Sequence, residues 1–300
     1  MNDTEHPRDF IGYGQHPPDP QWPGDARLAI NFVLNYEEGS ELSFPEGDGV
    51  SERLLTEVQG APSKWRDLGA ESMFEYGSRV GFWRIHRLFT ERNLPLTVFG
   101  CAMALERNLE AAAAIGEAGW DVCSHGWRWV NHYQLDEPTE REHIRLAVES
   151  IERTCGERPY GWYCRYAPSL NTRRLLVEEG GFPYDSDAYN DELPYWTTVG
   201  ETSHLVIPYS LVNNDLKTPN DIVTSDAWFS FVRDAIDLLY REGASTPKMM
   251  SVGLHQRLIG HPARAAGLER LLDYVGQYDD IWVTRRVDIA RHWIETHPYE

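Results

Sequence analysis

From residue 77 onward, short apolar runs alternate with longer amphipathic stretches for about seven or eight rounds. That alternation constrains the fold more than any other feature, because strand–helix–strand repetition demands a parallel sheet. Helices are expected at Gly77 to Glu91, Ala102 to Ala118, Thr139 to Cys155, Thr172 to Glu179, Asp226 to Arg241, Arg264 to Gly276 and Val287 to Thr296. Strands are expected at 96–101, 120–125, 160–165, 184–186, 204–209, 248–255 and 281–284. Arg27 to Asn35 (RLAINFVLN) precedes them all, and its near-continuous apolar run suits a strand buried on both faces. The count favours an α/β architecture, a closed or nearly closed (β/α) barrel. No G-x-G-x-x-G follows the first strand, so a dinucleotide site lacks support.

The chain has 300 residues, the size of one such barrel. Residues 1–300 are read as a single catalytic domain, with 26–300 as its barrel. Residues 1–25, rich in Pro and Gly, are read as an extended N-terminal arm. Residues 40–72 are irregular and polar, and a connection that long is uncommon unless it is functional or part of an interface. Lys plus Arg number 28 against 47 Asp plus Glu, a net charge of −19. Nucleic-acid binding and docking on anionic membranes are disfavoured by that balance. No apolar run reaches the ~20 residues of a bilayer span. The first residues, MNDTEHPRDF, carry neither a basic region nor an apolar core of a leader, so a cytoplasmic location is expected. Cys101, Cys123, Cys155 and Cys164 form no C-x-x-C pair and read as free thiols.

In parallel α/β folds the chemistry sits where strands end. The first strand ends in Asn35-Tyr36-Glu37-Glu38-Gly39, the third in Ser124-His125-Gly126-Trp127-Arg128-Trp129. The fourth ends in Arg165-Tyr166-Ala167-Pro168, the fifth in Asp185-Ser186-Asp187, and a late one in Leu254-His255-Gln256-Arg257. Taken singly, each has an ordinary explanation. An acidic doublet is common in an acidic chain, a lone histidine is more often structural, and Arg165 suits a rim salt bridge. His132 and His261, further out in the loops, are read as structural. Together the strand ends form a hydrolytic constellation.

In series these segments resemble the polysaccharide deacetylase (NodB-homology) superfamily, over roughly residues 25 to 297. Its first motif, T-F-D-D-G, corresponds to Asn35 to Gly39, and its second, H-[ST]-x-x-H, to His125 to Trp129. Arg165 to Pro168, the Asp185 segment and Leu254-His255 resemble its third, fourth and fifth motifs. The resemblance implies a distorted (β/α) barrel. In the family, the second aspartate of the first motif and both histidines of the second bind a divalent metal. Those positions here are Glu38, His125 and Trp129. Indole offers an N–H donor and no lone pair for a metal, so no metal and no other cofactor is expected. The PRDFIGYGQHPPDPQWPGDARLAINFVLNYEEG and EYGSRVGFWR segments resemble one branch, the metal-independent allantoinases. That branch implies hydrolysis of the hydantoin ring of (S)-allantoin to allantoate, by a cytosolic homo-oligomer, a tetramer.

A hydantoin nitrogen, flanked by a second carbonyl, leaves more readily than an ordinary amide nitrogen. Loss of a Lewis acid is then tolerable, provided a base, an oxyanion stabiliser and a proton donor remain. The expected catalytic set is Glu37 as base, Glu38 holding His125 or the water, His125 on the water or oxyanion, and His255 as general acid. Arg165 is expected to bind a carbonyl oxygen, and Trp129 to pack on a flat ring. Tyr36 joins them as a substrate-binding residue, and Glu75, Arg79 and Asn214, with Asp215, are candidates for the ureido tail. Two other hydrolases share this wording of the site: a metal-dependent deacetylase of N-acetylated glycans and another cyclic amide or imide hydrolase. A degenerate, ligand-binding deacetylase is the reading from a different class.

Overall fold

The computed structural model describes residues 8–218 and 221–299. Its first strand, β1 (Leu28–Tyr36), is buried at every position, as its apolar run requires. The other strands are β2 (Thr97–Gly100), β3 (Asp121–Ser124), β4 (Gly161–Trp162), β5 (Tyr184–Asp185), β6 (Tyr195–Val199), β7 (Thr202–Val206), β8 (Lys248–His255) and β9 (Ile281–Val283). The helices are α1 (Leu68–Tyr76), α2 (Phe82–Thr90), α3 (Ala102–Arg107), α4 (Leu109–Glu117), α5 (Glu137–Cys155), α6 (Thr172–Glu179), α7 (Ser225–Glu242), α8 (Pro262–Val275) and α9 (Arg286–Thr296).

The sheet runs β6-β7-β5-β4-β3-β2-β1-β8, with β9 also on β1, and curls into a half-barrel. All pairs are parallel except the β6–β7 hairpin at one edge. β8 follows β1 from Leu28 to Asn35, while the opposite side of β1 carries β9 at its start and β2 at its end. The deacetylase-type barrel is therefore present but open, between β8 and the β5–β7 side. The chain leaving β7 reaches across that seam: Gly253 N–H donates to the Asn213 carbonyl at 3.1 Å. Buried Arg286 ties the interior together, donating to Asn31, Ser186, Ser251 and the carbonyl of Ile207.

Several elements differ from their sequence reading. The strand expected at 160–165 forms a ladder only at Gly161–Trp162, because the chain then turns toward the strand-end cluster. The hairpin strand Tyr195–Val199 lay hidden in a polar stretch turned by Gly200 (φ +61°). The helix expected over 102–118 breaks at Asn108, whose side chain accepts from Ala111 N–H and starts a new helix. Thr224, not Ser225 or Asp226, caps α7. Residues 1–7 of the arm expected over 1–25 lie outside the described residues. Trp22, near the end of the arm, packs at the start of β8 and β9: its Nε1 donates to the Lys248 carbonyl at 2.9 Å and its ring packs among Trp282, His292 and Trp293. Cys101, Cys123, Cys155 and Cys164 are free thiols. Among the described residues, no helix is long and apolar enough to cross a membrane.

One piece of local structure positions the site directly. A π-helical turn, Gly77–Gly81, joins α1 to α2. A Cβ on Gly77 would lie 2.5 Å from Glu38 Oε1, and one on Gly81 would lie 2.0 Å from the Gln256 carbonyl oxygen. Both glycines permit this turn to press on the loop after β8. Gly81→Ala is expected to destabilise the protein by about 1–3 kcal/mol, the usual cost of overpacking. The denaturant midpoint measures it, and an unshifted midpoint contradicts the close approach.

Candidate active site

Glu37, His125 and His255 stand at the ends of β1, β3 and β8 and meet in one buried cluster. His125 Nε2 lies 3.2 Å from Glu37 Oε1, and His255 Nε2 lies 3.6 Å from the same oxygen. All three side chains are no more than 4% exposed. The strand registers explain the convergence. Tyr36 sits opposite Gly100 and Asn35 opposite His255, so the residues just past each strand share one rim.

The histidines are oriented differently. His125 Nδ1 lies 2.6 Å from the Tyr163 carbonyl, which can only accept, so Nδ1 carries the proton. A hydrogen bond between Nε2 and Glu37 then needs a proton on one of the two. The His125 ring stacks on Tyr163 at 5.1 Å. His255 Nδ1 instead faces Asp215 Oδ1 at 2.6 Å, and Asp215 Oδ2 accepts from the His255 backbone N–H at 2.7 Å. Burial alone would lower the proton affinity of His255. The Asp215 and Glu37 carboxylates outweigh it and push the pKa up to about 9, leaving the ring cationic at neutral pH.

The two glutamates separate electrostatically. Burial raises the proton affinity of both, yet Glu37 ends well below the usual range because of Arg257, His255 and His125. Its Oε2 accepts from Arg257 Nη2 at 2.6 Å. Glu38 is also buried, and Arg257 cannot offset that burial together with the charge of Glu37, so its pKa rises to about 7. Glu38 Oε1 accepts from Arg257 Nη1 at 3.1 Å and Oε2 from Gln256 Nε2 at 2.6 Å. Glu38 lines a cavity of about 300 Å³ together with Glu41, Phe74, Glu75, Arg79 and Arg107. A larger cavity of about 1190 Å³ lies at the seam beside the arm and includes none of the clustered groups.

Other expected site residues take different places. Glu38 does not hold His125, because Tyr163 and Glu37 already do. Arg165 is not free: its guanidinium donates to buried Glu52 at 2.7 Å and to the Trp129 carbonyl at 3.0 Å. The Trp129 ring is covered by that guanidinium at 3.9 Å and by Arg257 at 5.0 Å. Tyr36 is buried, with its hydroxyl 2.9 Å from Ser78 Oγ. Asn214 is spent on Tyr209 and on the Leu216 N–H. Glu75 and Arg79 are exposed, pair with each other at 3.4 Å, and line the cavity that reaches Glu38. His132 is buried against Glu140, and His261 stacks on Tyr76.

The structure also brings in residues that reading the sequence did not place. Arg257 is the main one; it follows β8 in the sequence, with no motif there that marks it as part of the cluster. Asp215, weighed only for the ureido tail, instead orients His255, forty positions away in the chain. Glu52 comes from the irregular 40–72 segment, whose unusual length was the only signal that it mattered.

The positions of the metal ligands in deacetylases do not form a metal site here. Trp129 has no lone pair to give, both oxygens of Glu38 are taken, and Nε2 of His125 faces Glu37. Among the described residues, no group of three His, Cys, Asp or Glu side chains is arranged to hold a metal ion.

Residues 70–184 match the family model of polysaccharide deacetylases. A putative polysaccharide deacetylase of Schizosaccharomyces pombe is 39% identical over 316 residues, covering 98% of each chain. Two solved structures are similar throughout. A probable polysaccharide deacetylase from Pseudomonas aeruginosa PAO1 has 50% identity and a TM-score of 0.94, covering 98% of this chain and 100% of that one. PuuE allantoinase has 49% identity and a TM-score of 0.94, covering 98% of this chain and 99% of that one.

Proposed function

The chain belongs to the polysaccharide deacetylase family, and we propose that its site opens the hydantoin ring of (S)-allantoin to allantoate without a metal. The observation that carries the chemistry is the cluster itself: a carboxylate with two imidazoles within 3.6 Å of it, one of them, His125, at a position of the broken three-ligand metal set. The likeness to PuuE allantoinase supports the substrate.

In this reading, a water at the edge of the cluster, within reach of Glu37, attacks the ring carbonyl. Its proton passes to Glu37 Oε1, its oxygen bonds the carbonyl carbon, and the carbonyl electron pair moves onto oxygen. His125 stabilises that oxyanion through an Nε2 proton, since the Tyr163 carbonyl holds the Nδ1 proton. The C–N bond then breaks as the cationic His255 gives its Nε2 proton to the leaving nitrogen. Glu37 returns a proton to neutral His255 across 3.6 Å, and the new carboxylic acid ionises to solvent. Asp215 keeps His255 charged and fixes which nitrogen faces the reaction. The acidic cavity beside Glu38 favours a neutral ligand rich in N–H donors, as a ureido group is, over an anion. Glu75 and Arg79 stand at its mouth, placed to meet such a tail. The same reading makes the enzyme a cytosolic homotetramer, which size-exclusion chromatography with light scattering checks.

Chelator-treated protein, shown to be metal-free by elemental analysis, is expected to open (S)-allantoin as fast as untreated protein. Turnover that disappears with the metal and returns with zinc overturns the metal-free reading. Glu38 supplies a second reading of the base, because a pKa of about 7 suits proton transfer at neutral pH and Glu38 borders the cavity.

A further inference from the structure

Two of the three positions that correspond to metal ligands in deacetylases, Glu38 and Trp129, lie against a guanidinium. We propose that Arg257 is the fixed cation of this site, a positioning residue whose planar fork supplies the positive charge against which both glutamates work. The inference rests on the ring-opening reading and deepens it.

The geometry leaves Arg257 little freedom. The side chain is fully buried. Nη2 donates to Glu37 Oε2 at 2.6 Å, Nη1 to Glu38 Oε1 at 3.1 Å, and Nε to the Leu55 carbonyl at 2.8 Å. Phe74 and Trp129 lie against its guanidinium, 4.6 and 5.0 Å from the ring centroids. Gly77 is bare where a Cβ would come within 3.0 Å of the Arg257 backbone and Cβ. A buried cation is costly unless it is paired and its N–H groups are bonded. Here the pairing falls on the proposed base, Glu37, and on its neighbour Glu38, rather than on a carboxylate outside the cluster. Lysine offers one ammonium point and cannot span both glutamates in a plane.

The charge also fits the reaction. When Glu37 takes the water's proton it becomes neutral, and Arg257 loses the counter-charge at its Nη2. Its field then falls on the negative charge growing at the substrate oxygen, without any movement of the guanidinium. Such preorganised charge is the form of stabilisation that acts on the transition state more than on bound substrate. The Leu55 carbonyl belongs to the 40–72 segment, so the same arginine fixes that segment over the cluster. Arg165 plays no such part, since Glu52 and the Trp129 carbonyl occupy it.

The test uses Arg257→Ala and Arg257→Lys, with kcat and KM for (S)-allantoin, a thermal midpoint for each, and guanidinium chloride added at low millimolar concentration. Arg257→Ala is expected to lose kcat by on the order of 10²–10³-fold with KM nearly unchanged. Guanidinium is expected to restore part of it saturably, by refilling the space against Phe74 and Trp129. Arg257→Lys is expected to lose kcat at least about tenfold for want of the fork. Full kcat in either variant overturns the proposal. So does a folded Arg257→Ala protein that guanidinium does not revive. If the alanine variant does not fold, the lysine variant decides alone, and a loss carried wholly by KM counts against the proposal. Wild-type turnover separates the two claims. Without it the ring-opening reading falls and takes this inference with it; with it, unresponsive variants sink the inference alone.

Discussion

Glu37→Gln is expected to lower kcat for (S)-allantoin by about 10²–10⁴-fold, the range that a positioned base supplies. KM is expected to move little. Glutamine keeps the shape of the side chain and can still accept from Arg257, but it cannot take a proton from water. It also removes the charge that His255 and His125 face at 3.6 and 3.2 Å. The expected loss is therefore in the chemical step rather than in binding. Glu38→Gln makes the contrast. Glu38 meets Gln256 and Arg257 but neither imidazole among its hydrogen-bond partners. Its replacement is expected to cost less than Glu37→Gln, while weakening the hold on Arg257. Should Glu38→Gln cost more and Glu37→Gln retain near-normal turnover, the base is Glu38, whose pKa of about 7 already suits the task. A thermal midpoint for each variant keeps a folding defect from passing as a catalytic one.

The parallel alternation was legible because its signals are local: a buried β1 reads as a continuous apolar run, and α6 was found at Thr172–Glu179 from its own periodicity. β8 was found at Lys248–His255 for the same reason. The β6–β7 hairpin was half missed because β6 is exposed or only partly buried, so no apolar alternation marks it. Strand ends pointed to Glu37, His125 and His255, since a parallel sheet puts all such ends on one rim. Partners could not be read the same way. Asp215 meets His255 only because the chain after β7 crosses the seam, and Arg257 meets both glutamates only because two glycines let a π-turn close over it. Arg165 shows the opposite failure. Its position in the family-like segment suggested a ligand, but a carboxylate from the irregular loop, Glu52, had already claimed it.

Asp215 is where the second large effect is expected. Its carboxylate holds His255 by both the ring Nδ1 and the backbone N–H, and also accepts from Ile259 N–H at 3.2 Å. His255 is the proposed acid, so activity requires its protonated form. With the pKa raised from 6.5 to about 9, kcat/KM is expected to hold level through neutral pH and to fall as pH climbs past about 9. Asp215→Asn removes the main charge that opposes burial. Burial then dominates, the proton affinity drops, and the alkaline fall is expected at a distinctly lower pH. At neutral pH kcat is expected to fall by about 10²–10⁴-fold, the contribution of a lost general acid. Stability follows the same sign. A histidine whose folded pKa lies above its unfolded value stabilises the protein fully below about pH 6.5, and that contribution is lost as pH rises through about 9. Wild-type protein is thus expected to lose thermal midpoint between those values, and Asp215→Asn to lose less over the same interval. An alkaline limb that stays in place in Asp215→Asn would assign it to another group and leave His255 without its role as acid.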